Sequence, residues 1–205
     1  MGIYSTVILP RLMEWTMADS KLTPYRKAVL AEVEGDVLEI GFGTGLNLAY
    51  YSHQVHKITT VDPNTGMNAL AQKRIAASDI PIENRVLNGE SLPFSDRSFD
   101  YGVSTWTLCS IARVENALAE IYRVLKPGGK FVFIEHGLSP DPKVQVWQNR
   151  LNPIQKVIGD GCHLNRNIQA LVESHFDQVM VERFVPEGLP AVAATFYKGV
   201  AVKTC

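Results

Sequence analysis

One short segment constrains this chain more than any other. It is an apolar run that leads directly into three glycines spaced two residues apart, Val37-Leu38-Glu39-Ile40-Gly41-Phe42-Gly43-Thr44-Gly45. The run is typical of a buried strand, and a helical pattern follows the last glycine. Because glycine has no Cβ, it adopts positive φ in tight turns and lets a ligand approach the main chain closely. The segment therefore predicts a strand, a ligand-binding turn and a helix, as in a parallel α/β sheet.

The spacing of the glycines also restricts the ligand. Turns that bind dinucleotides carry G-x-G-x-x-G and hold a pyrophosphate at a helix N-terminus. Here the spacing is G-x-G-x-G, and Glu39 stands just before it, where its carboxylate would repel a pyrophosphate and attract a cation. A nicotinamide-dependent oxidoreductase is therefore disfavoured, and a nucleotide-like cofactor with a cationic group is favoured.

Apolar runs and helical patterns alternate along the chain, which indicates a parallel sheet covered by helices on both faces. We expect strands near residues 37–41, 57–62, 83–88, 99–106, 130–136, 179–185 and 195–202. We expect helices near 45–53, 66–77, 113–125 and 167–176. The link 186–190 is too short for a crossover helix, so the last two strands should be an antiparallel hairpin. The predicted fold is a seven-stranded, mostly parallel, doubly wound α/β sheet in one domain, 1–205, with a helical cover (1–34) and an insert (139–165).

Three further motifs follow the glycines in order. Asp62 ends the second apolar run, where a carboxylate would accept hydrogen bonds from ribose hydroxyls. Next come Asn88-Gly89-Glu90-Ser91-Leu92-Pro93-Phe94 and Ser98-Phe99-Asp100, and last Leu125-Lys126-Pro127-Gly128-Gly129. With these motifs the chain resembles the class I S-adenosylmethionine-dependent methyltransferases over about residues 37–137.

The resemblance implies S-adenosylmethionine as the cofactor. It places Glu39 and the glycine loop at the methionine end and Asp62 at the ribose. It places Pro63 against the adenine and Asn88 beside it, where Asp is commoner in the family. The candidate cofactor-binding residues are Glu39, Gly41, Gly43, Gly45, Asp62, Pro63, Asn88, Gly89, Glu90 and Thr105.

A second likeness concerns the methyl acceptor. The segments Glu135-His136-Gly137, Trp147-Gln148 and Ile158-Gly159-Asp160-Gly161-Cys162-His163-Leu164 are similar to the same region of methyltransferase-like proteins that methylate alkyl thiols on the endoplasmic reticulum. Asp160, His163 and His136 are therefore candidate catalytic residues, with purely structural roles as the alternative. The chain lacks the hydrophobic N-terminal anchor of that branch, so we do not expect its membrane localisation or hydrophobic acceptors to carry over.

Composition restricts partners and compartment. A net charge of −1 leaves no basic field for nucleic acid, which favours a small-molecule acceptor. The chain contains no run of 18 apolar residues, so we predict no membrane span. The three cysteines, at 109, 162 and 205, form neither a disulfide framework nor a zinc-binding pattern. The sequence therefore predicts a cytoplasmic location and no metal site, and it leaves the oligomeric state open.

These observations predict methyl transfer from S-adenosylmethionine to a small molecule, and the second likeness favours a thiol. Methylation of an amine or a lipid headgroup remains an alternative. A non-catalytic regulatory module that binds S-adenosylmethionine is another. The intact glycine loop and Asp62 favour the enzyme.

Overall fold

The computed structural model describes residues 2–186 and 188–204. Its central sheet has the strand order β3-β2-β1-β4-β5-β7-β6. The strands are β1 (Gly35–Ile40), β2 (Val55–Val61), β3 (Ile82–Arg85), β4 (Phe99–Thr105), β5 (Leu125–His136), β6 (Gln178–Phe184) and β7 (Phe196–Val202). Strands β1 to β5 pair in parallel, whereas β7 runs antiparallel to both β5 and β6. The predicted seven-stranded α/β sheet and its antiparallel C-terminal pair are confirmed.

Strand β1 lies inside the sheet, between β2 and β4, and its last four residues are buried on both faces. Val37, Leu38 and Ile40 are buried, and Ile40 pairs with Val61 of β2 and Ser104 of β4. The strand order reverses between β1 and β4, so the loops after these two strands diverge and leave a crevice at the carboxyl edge of the sheet. The fold thus creates a binding position directly above the glycine segment.

Six α-helices flank the sheet within the described residues. They are α1 (Leu9–Met17), α2 (Thr23–Leu30), α3 (Thr65–Ala76), α4 (Val114–Val124), α5 (Pro142–Ile158) and α6 (Ile168–Glu173). Shorter helical turns span Tyr4–Ile8, Leu46–Tyr50 and Ala191–Ala193. Helix α4 buries Val114, Leu118 and Ile121, the face that its apolar spacing predicted. The helix expected near 45–53 is only the five-residue 3₁₀ turn Leu46–Tyr50, since Tyr51 is already extended.

Several boundaries differ from the sequence-based expectation. Strand β3 ends at Arg85, and residues 86–88 leave the sheet toward the crevice. Strand β5 begins at Leu125, so the Pro-Gly-Gly turn falls within its bounds. The reason is that Leu125 pairs with Phe99 of β4, with a register shift before Tyr101. The turn itself is held by Lys203, whose carbonyl accepts the Gly128 N–H at 2.7 Å and whose N–H donates to the Gly129 carbonyl at 3.0 Å. None of the helices in the described ranges is long and apolar enough to cross a membrane. The division into cover, domain and insert stays a prediction.

Candidate active site

A cavity of about 460 Å³ lies at the carboxyl edge of the sheet, within the size range of small-molecule sites. It is lined by the loops after β1, β2 and β4 and by three side chains of α1: Leu9, Met13 and Met17. Eight of the ten predicted cofactor residues line this cavity: Gly41, Gly43, Asp62, Pro63, Asn88, Gly89, Glu90 and Thr105. Glu39 and Gly45 do not.

Glycine is required at positions 41, 43 and 45 for different physical reasons. All have positive φ, at +75° for Gly41, +58° for Gly43 and +79° for Gly45. A Cβ at Gly41 would overlap the side chain of Thr107, and one at Gly45 would lie 3.2 Å from the Phe42 ring. A Cβ at Gly43 would have no neighbour closer than 3.9 Å, because it would project into the cavity. Packing therefore requires glycine at Gly41 and Gly45, whereas Gly43 leaves space for a ligand.

Asp62 connects the loops after β1 and β2. Its Oδ2 accepts the Gly43 N–H at 2.8 Å, and its Oδ1 accepts the Asn64 N–H at 2.8 Å. Burial raises the pKa of this carboxyl, and the two backbone donors oppose that shift. Because a carboxylate oxygen accepts two hydrogen bonds, each oxygen retains capacity for a ligand hydroxyl.

Glu39 is enclosed below the cavity. Its two oxygens accept the Asn47 amide and the Tyr51 hydroxyl, each at 2.7 Å. Burial raises the pKa of Glu39 to about 7, against the effect of these two hydrogen bonds. Asn47 also donates to the Thr105 hydroxyl at 3.1 Å. Glu39 therefore acts on the cavity through Asn47, and its predicted role at the methionine end stays a prediction.

Arg26 of α2 is a cavity-lining residue that the sequence analysis missed. Its side chain is buried, its Nε donates to Asn47 Oδ1 at 2.8 Å, and its guanidinium lies 4.9 Å from the Trp106 ring centroid. Burial lowers the pKa of Arg26, opposed by the nearby Tyr50 and Glu39. Among the described residues, it is the only lysine or arginine that lines the cavity. No local motif marks it, because it reaches the site from a separate helix.

The loop after β3 supplies a second wall. Asn88 Oδ1 accepts the Glu90 N–H at 3.0 Å, which closes a turn, and a Cβ at Gly89 would lie 3.0 Å from Ile40. The Glu90 carboxylate is already paired with the Arg113 side chain at 2.7 Å, and hydrogen bonds from the Arg113 backbone and side chain lower its pKa. Glu90 thus shapes the wall while its charge is neutralised by Arg113.

The N-terminal segment is hydrogen-bonded to two residues that line the cavity, Asn64 and Asp160. The Tyr4 hydroxyl donates to the Ile158 carbonyl at 2.6 Å, and the Ser5 hydroxyl donates to Asp160 Oδ1 at 3.1 Å. On the other side, the Asn64 amide donates to the Ser5 carbonyl at 2.9 Å. The segment therefore bridges the start of α3 and the turn after α5.

The three predicted catalytic residues do not meet at one point. Asp160 lines the cavity. His163 does not, and its Nδ1 lies 3.1 Å from the Cys109 carbonyl oxygen. Burial and the neighbouring Arg166 lower the pKa of His163. His136 is buried at the end of β5, also outside the cavity lining. Burial lowers the pKa of His136, but the neighbouring Cys162 and Glu135 together raise it above its ordinary value.

Glu135 fixes the loop after β4. Its Oε1 accepts the backbone N–H groups of Thr107 and Leu108 and the Ser104 hydroxyl, all at 2.9 Å. Burial raises the pKa of Glu135 to about 7, and these donors oppose the shift. The loop so held presents Trp106, Thr107 and Ser110 to the cavity.

The structure also brings together three residues that no sequence motif connects. Cys109 and Cys162 are free thiols, and their donor atoms and that of His136 all lie within 4.8 Å of one another. The sequence predicted no metal site because these residues are more than 25 positions apart along the chain. Cys205 lies outside the described residues.

The chain is similar to known methyltransferases. A family model described as "Methyltransferase domain" matches residues 38–133. The protein named Thiol S-methyltransferase TMT1B of Rattus norvegicus is 38% identical over 160 residues, which cover 73% of this chain and 63% of the rat protein. Thiol S-methyltransferase TMT1A of Homo sapiens is 34% identical over 173 residues, which cover 82% of this chain and 70% of the human protein. The chain thus spans less than two thirds of the length of the rat relative.

A solved structure shares the fold. It is the "Phospholethanolamine N-methyltransferase 2" of Haemonchus contortus, in complex with phosphomonomethylethanolamine and S-adenosylhomocysteine. The superposition has a TM-score of 0.73 and covers 96% of this chain and 57% of that chain, at 18% sequence identity. Identity at that level shows a common fold alone.

We predict that Gly43→Ala abolishes cofactor binding in a folded protein. The added methyl group would occupy the cavity, and the positive φ of +58° would cost about 1–2 kcal/mol of stability. Gly128→Ala is the matched control, because Gly128 has a φ of +77°, no atom within 4 Å of its Cβ position and no contact with the cavity. Calorimetric titration with S-adenosylmethionine should show loss of binding only for Gly43→Ala. Unchanged affinity in that variant would mean that the loop is merely a turn.

A second prediction concerns Glu39 and pH. Its pKa is about 7 in the folded protein against an ordinary value of 4.5, so between these values the folded state binds more protons than the unfolded state. The contribution of Glu39 to stability is therefore present below pH 4.5 and lost as the pH rises through 7, a change on the order of 3 kcal/mol. Relative to the parent, Glu39→Gln should gain about that amount between pH 4.5 and 8 in urea unfolding. A difference between the two proteins that does not vary with pH would contradict this prediction.

Proposed function

The chain belongs to the class I S-adenosylmethionine-dependent methyltransferases, and from this membership we propose that it transfers a methyl group from S-adenosylmethionine to a small-molecule thiol. One observation carries the proposal. The open Cβ position of Gly43, the Asp62 carboxylate and the Arg26 guanidinium all line the same cavity at the carboxyl edge of the sheet.

The residues of the cavity fit the cofactor group by group. Asp62 has hydrogen-bonding capacity left on both oxygens, as two ribose hydroxyls require. Arg26 is the cation that would pair with the carboxylate of the methionine end. Pro63, Asn88 and Gly89 form the wall proposed for the adenine. When bound, S-adenosylmethionine supplies a methyl group on a cationic sulfonium, which is already electrophilic.

The chain's main contribution is to orient the reactants and exclude water. Alignment of two reactants supplies roughly 7–11 kcal/mol of rate acceleration. The hydrogen bond from Ser5 to Asp160 joins the N-terminal segment to the wall of the cavity, and we expect this contact to restrict solvent entry on that side. The loop held by Glu135 fixes the side of the cavity that contains Trp106.

Asp160 is the proposed proton acceptor for the thiol. The thiolate is the nucleophilic form, and a free thiol has a pKa of about 8.5, so removal of its proton increases the rate. Of the three predicted catalytic residues, Asp160 lines the cavity, whereas His136 and His163 lie behind it. Support for a thiol comes from the rat and human relatives, both of which carry the name thiol S-methyltransferase.

We also propose a cytoplasmic location. Cys109 and Cys162 are both free thiols, although their Sγ atoms are only 3.5 Å apart, which fits a reducing compartment. An amine or lipid headgroup acceptor and a non-catalytic regulatory role remain the alternatives. A radiolabel transfer assay across thiols, amines and phenols distinguishes them, and S-adenosylmethionine binding without transfer to any acceptor would favour the regulatory role.

The cofactor assignment predicts coupled losses of affinity. Asp62→Asn should weaken S-adenosylmethionine binding by about ten- to a thousandfold, because hydrogen bonds to a charged group contribute roughly 1.5–3 kcal/mol. The loss of affinity caused by Asp62→Asn should be far smaller for an analogue without ribose hydroxyls. Arg26→Gln should behave in the same way toward decarboxylated S-adenosylmethionine. For each variant, calorimetry on the four combinations of parent or variant with S-adenosylmethionine or the matching analogue forms one double-mutant cycle. Additive losses in a cycle would show that the side chain does not contact the deleted group.

The acceptor assignment predicts a dependence on thiol acidity. Asp160→Asn should lower turnover by about 10²–10⁴-fold with weakly acidic alkyl thiols and much less with acidic aryl thiols, which are already ionised. Asp79→Asn is the control, since Asp79 is exposed and outside the cavity lining. The measurement is kcat across a thiol series, with cofactor affinity checked separately. An equal loss for every thiol would contradict proton transfer to Asp160.

A further inference from the structure

Cys109, His136 and Cys162, which we call the Cys–His cluster, come from three separate elements. Cys109 lies in the loop after β4, His136 ends β5, and Cys162 lies in the turn after α5. The two Sγ atoms are 3.5 Å apart, and His136 Nε2 is 3.6 Å from Cys162 Sγ. None of the three lines the cavity, so the proposed methyl transfer does not account for them.

The two distances from Cys162 match those of a tetrahedral metal site, and all three donor atoms lie within 4.8 Å of one another. A zinc ion binds thiolate sulfur at about 2.3 Å and imidazole nitrogen at about 2.0–2.1 Å. Tetrahedral angles then separate two sulfur ligands by about 3.8 Å and a sulfur from a nitrogen by about 3.6 Å. We propose that the Cys–His cluster binds one thiophilic divalent cation of the Zn²⁺ type.

Charge and coordination are consistent with such an ion. Two thiolates and a neutral imidazole neutralise a dication, and binding releases the protons that the thiols held. Glu135 and Arg166 are the charged side chains that act on the cluster from the adjoining strand and loop. Three protein ligands leave the fourth tetrahedral position to water or another exogenous donor.

The backbone around Cys162 is shaped to reach this position. Gly161 has a φ of +98°, and a Cβ on it would lie only 2.9 Å from the Ser110 carbonyl oxygen. The His163 N–H donates to the Cys109 carbonyl at 2.9 Å, so the turn after α5 packs directly on the loop after β4. The ligands are therefore brought together by main-chain packing before any ion binds. A bound ion would fasten the turn that carries Asp160 to the ends of β4 and β5.

The experiment uses the full chain, kept reduced and stripped of metal, and titrates it with Zn²⁺ and separately with Co²⁺. We expect one ion per chain by elemental analysis. Co²⁺ should give a thiolate charge-transfer band in the near ultraviolet and visible d–d bands of tetrahedral intensity. Cys109→Ser, His136→Gln and Cys162→Ser should each weaken binding by about a hundredfold or more. His53→Gln is the control, since His53 is exposed and outside the cluster, and it should bind like the parent.

Thermal unfolding with and without Zn²⁺ tests binding even in variants that are less stable than the parent. At a hundredfold excess over its Kd, Zn²⁺ should raise the Tm of the parent by about 5–10 °C and leave the Tm of the cluster variants unchanged. Less than a tenth of an ion per chain, or charge-transfer bands that keep the parent's intensity in Cys162→Ser at the same Co²⁺ concentration, would overturn the proposal. These measurements need neither cofactor nor acceptor, so their failure is distinct from failure of the proposed methyl transfer.

Discussion

Three buried carboxylates hold the loops above the sheet, and the site depends on them. Asp62 and Glu135 lie at the ends of β2 and β5, and each accepts backbone N–H groups of a neighbouring loop. Glu39 in β1 accepts two side-chain donors instead. Removing a carboxylate from water is costly unless hydrogen bonds compensate, and an irregular loop close to the core likewise needs partners for its N–H groups. The carboxylates accept the loop N–H groups, and those N–H groups compensate the burial of the carboxylates. Loops without regular structure are thereby held in one conformation.

The same carboxylates give the cavity its electrostatic character. Burial raises the pKa of Glu39 and Glu135 to about 7, so both charged forms are only partly stabilised without a ligand. A cation in the cavity would favour ionisation of Glu39, because opposite charges at close range stabilise each other. Arg26 supplies the opposite sign and reaches Glu39 through Asn47. The site thus offers both signs of charge to a zwitterionic amino-acid end.

The part of the site proposed for the acceptor is built from segments far apart in the chain. Ser5 contacts Asp160, and Cys162 contacts Cys109 and His136. Asp160 and Gly161 both have positive φ, at +49° and +98°, so this turn adopts a conformation that tertiary packing must stabilise. The proposed proton acceptor, the contact with the N-terminal segment and the Cys–His cluster therefore share one short turn. A substitution in this turn would therefore alter all three of these features.

The sequence by itself determined the order of strands and helices, the antiparallel end of the sheet and most of the wall of the cavity. These features are local, because a strand's apolar period, a glycine turn and the residue that ends a strand are each readable within a few positions. Only the tertiary structure decided that Glu39 lies below the cavity, that Arg26 lines it, and that His136 and His163 lie behind Asp160. It alone brought Cys109, His136 and Cys162 together. The physical reason is that parallel strands with long crossovers join residues distant in the chain at one edge of the sheet, and no local period records which of those residues meet.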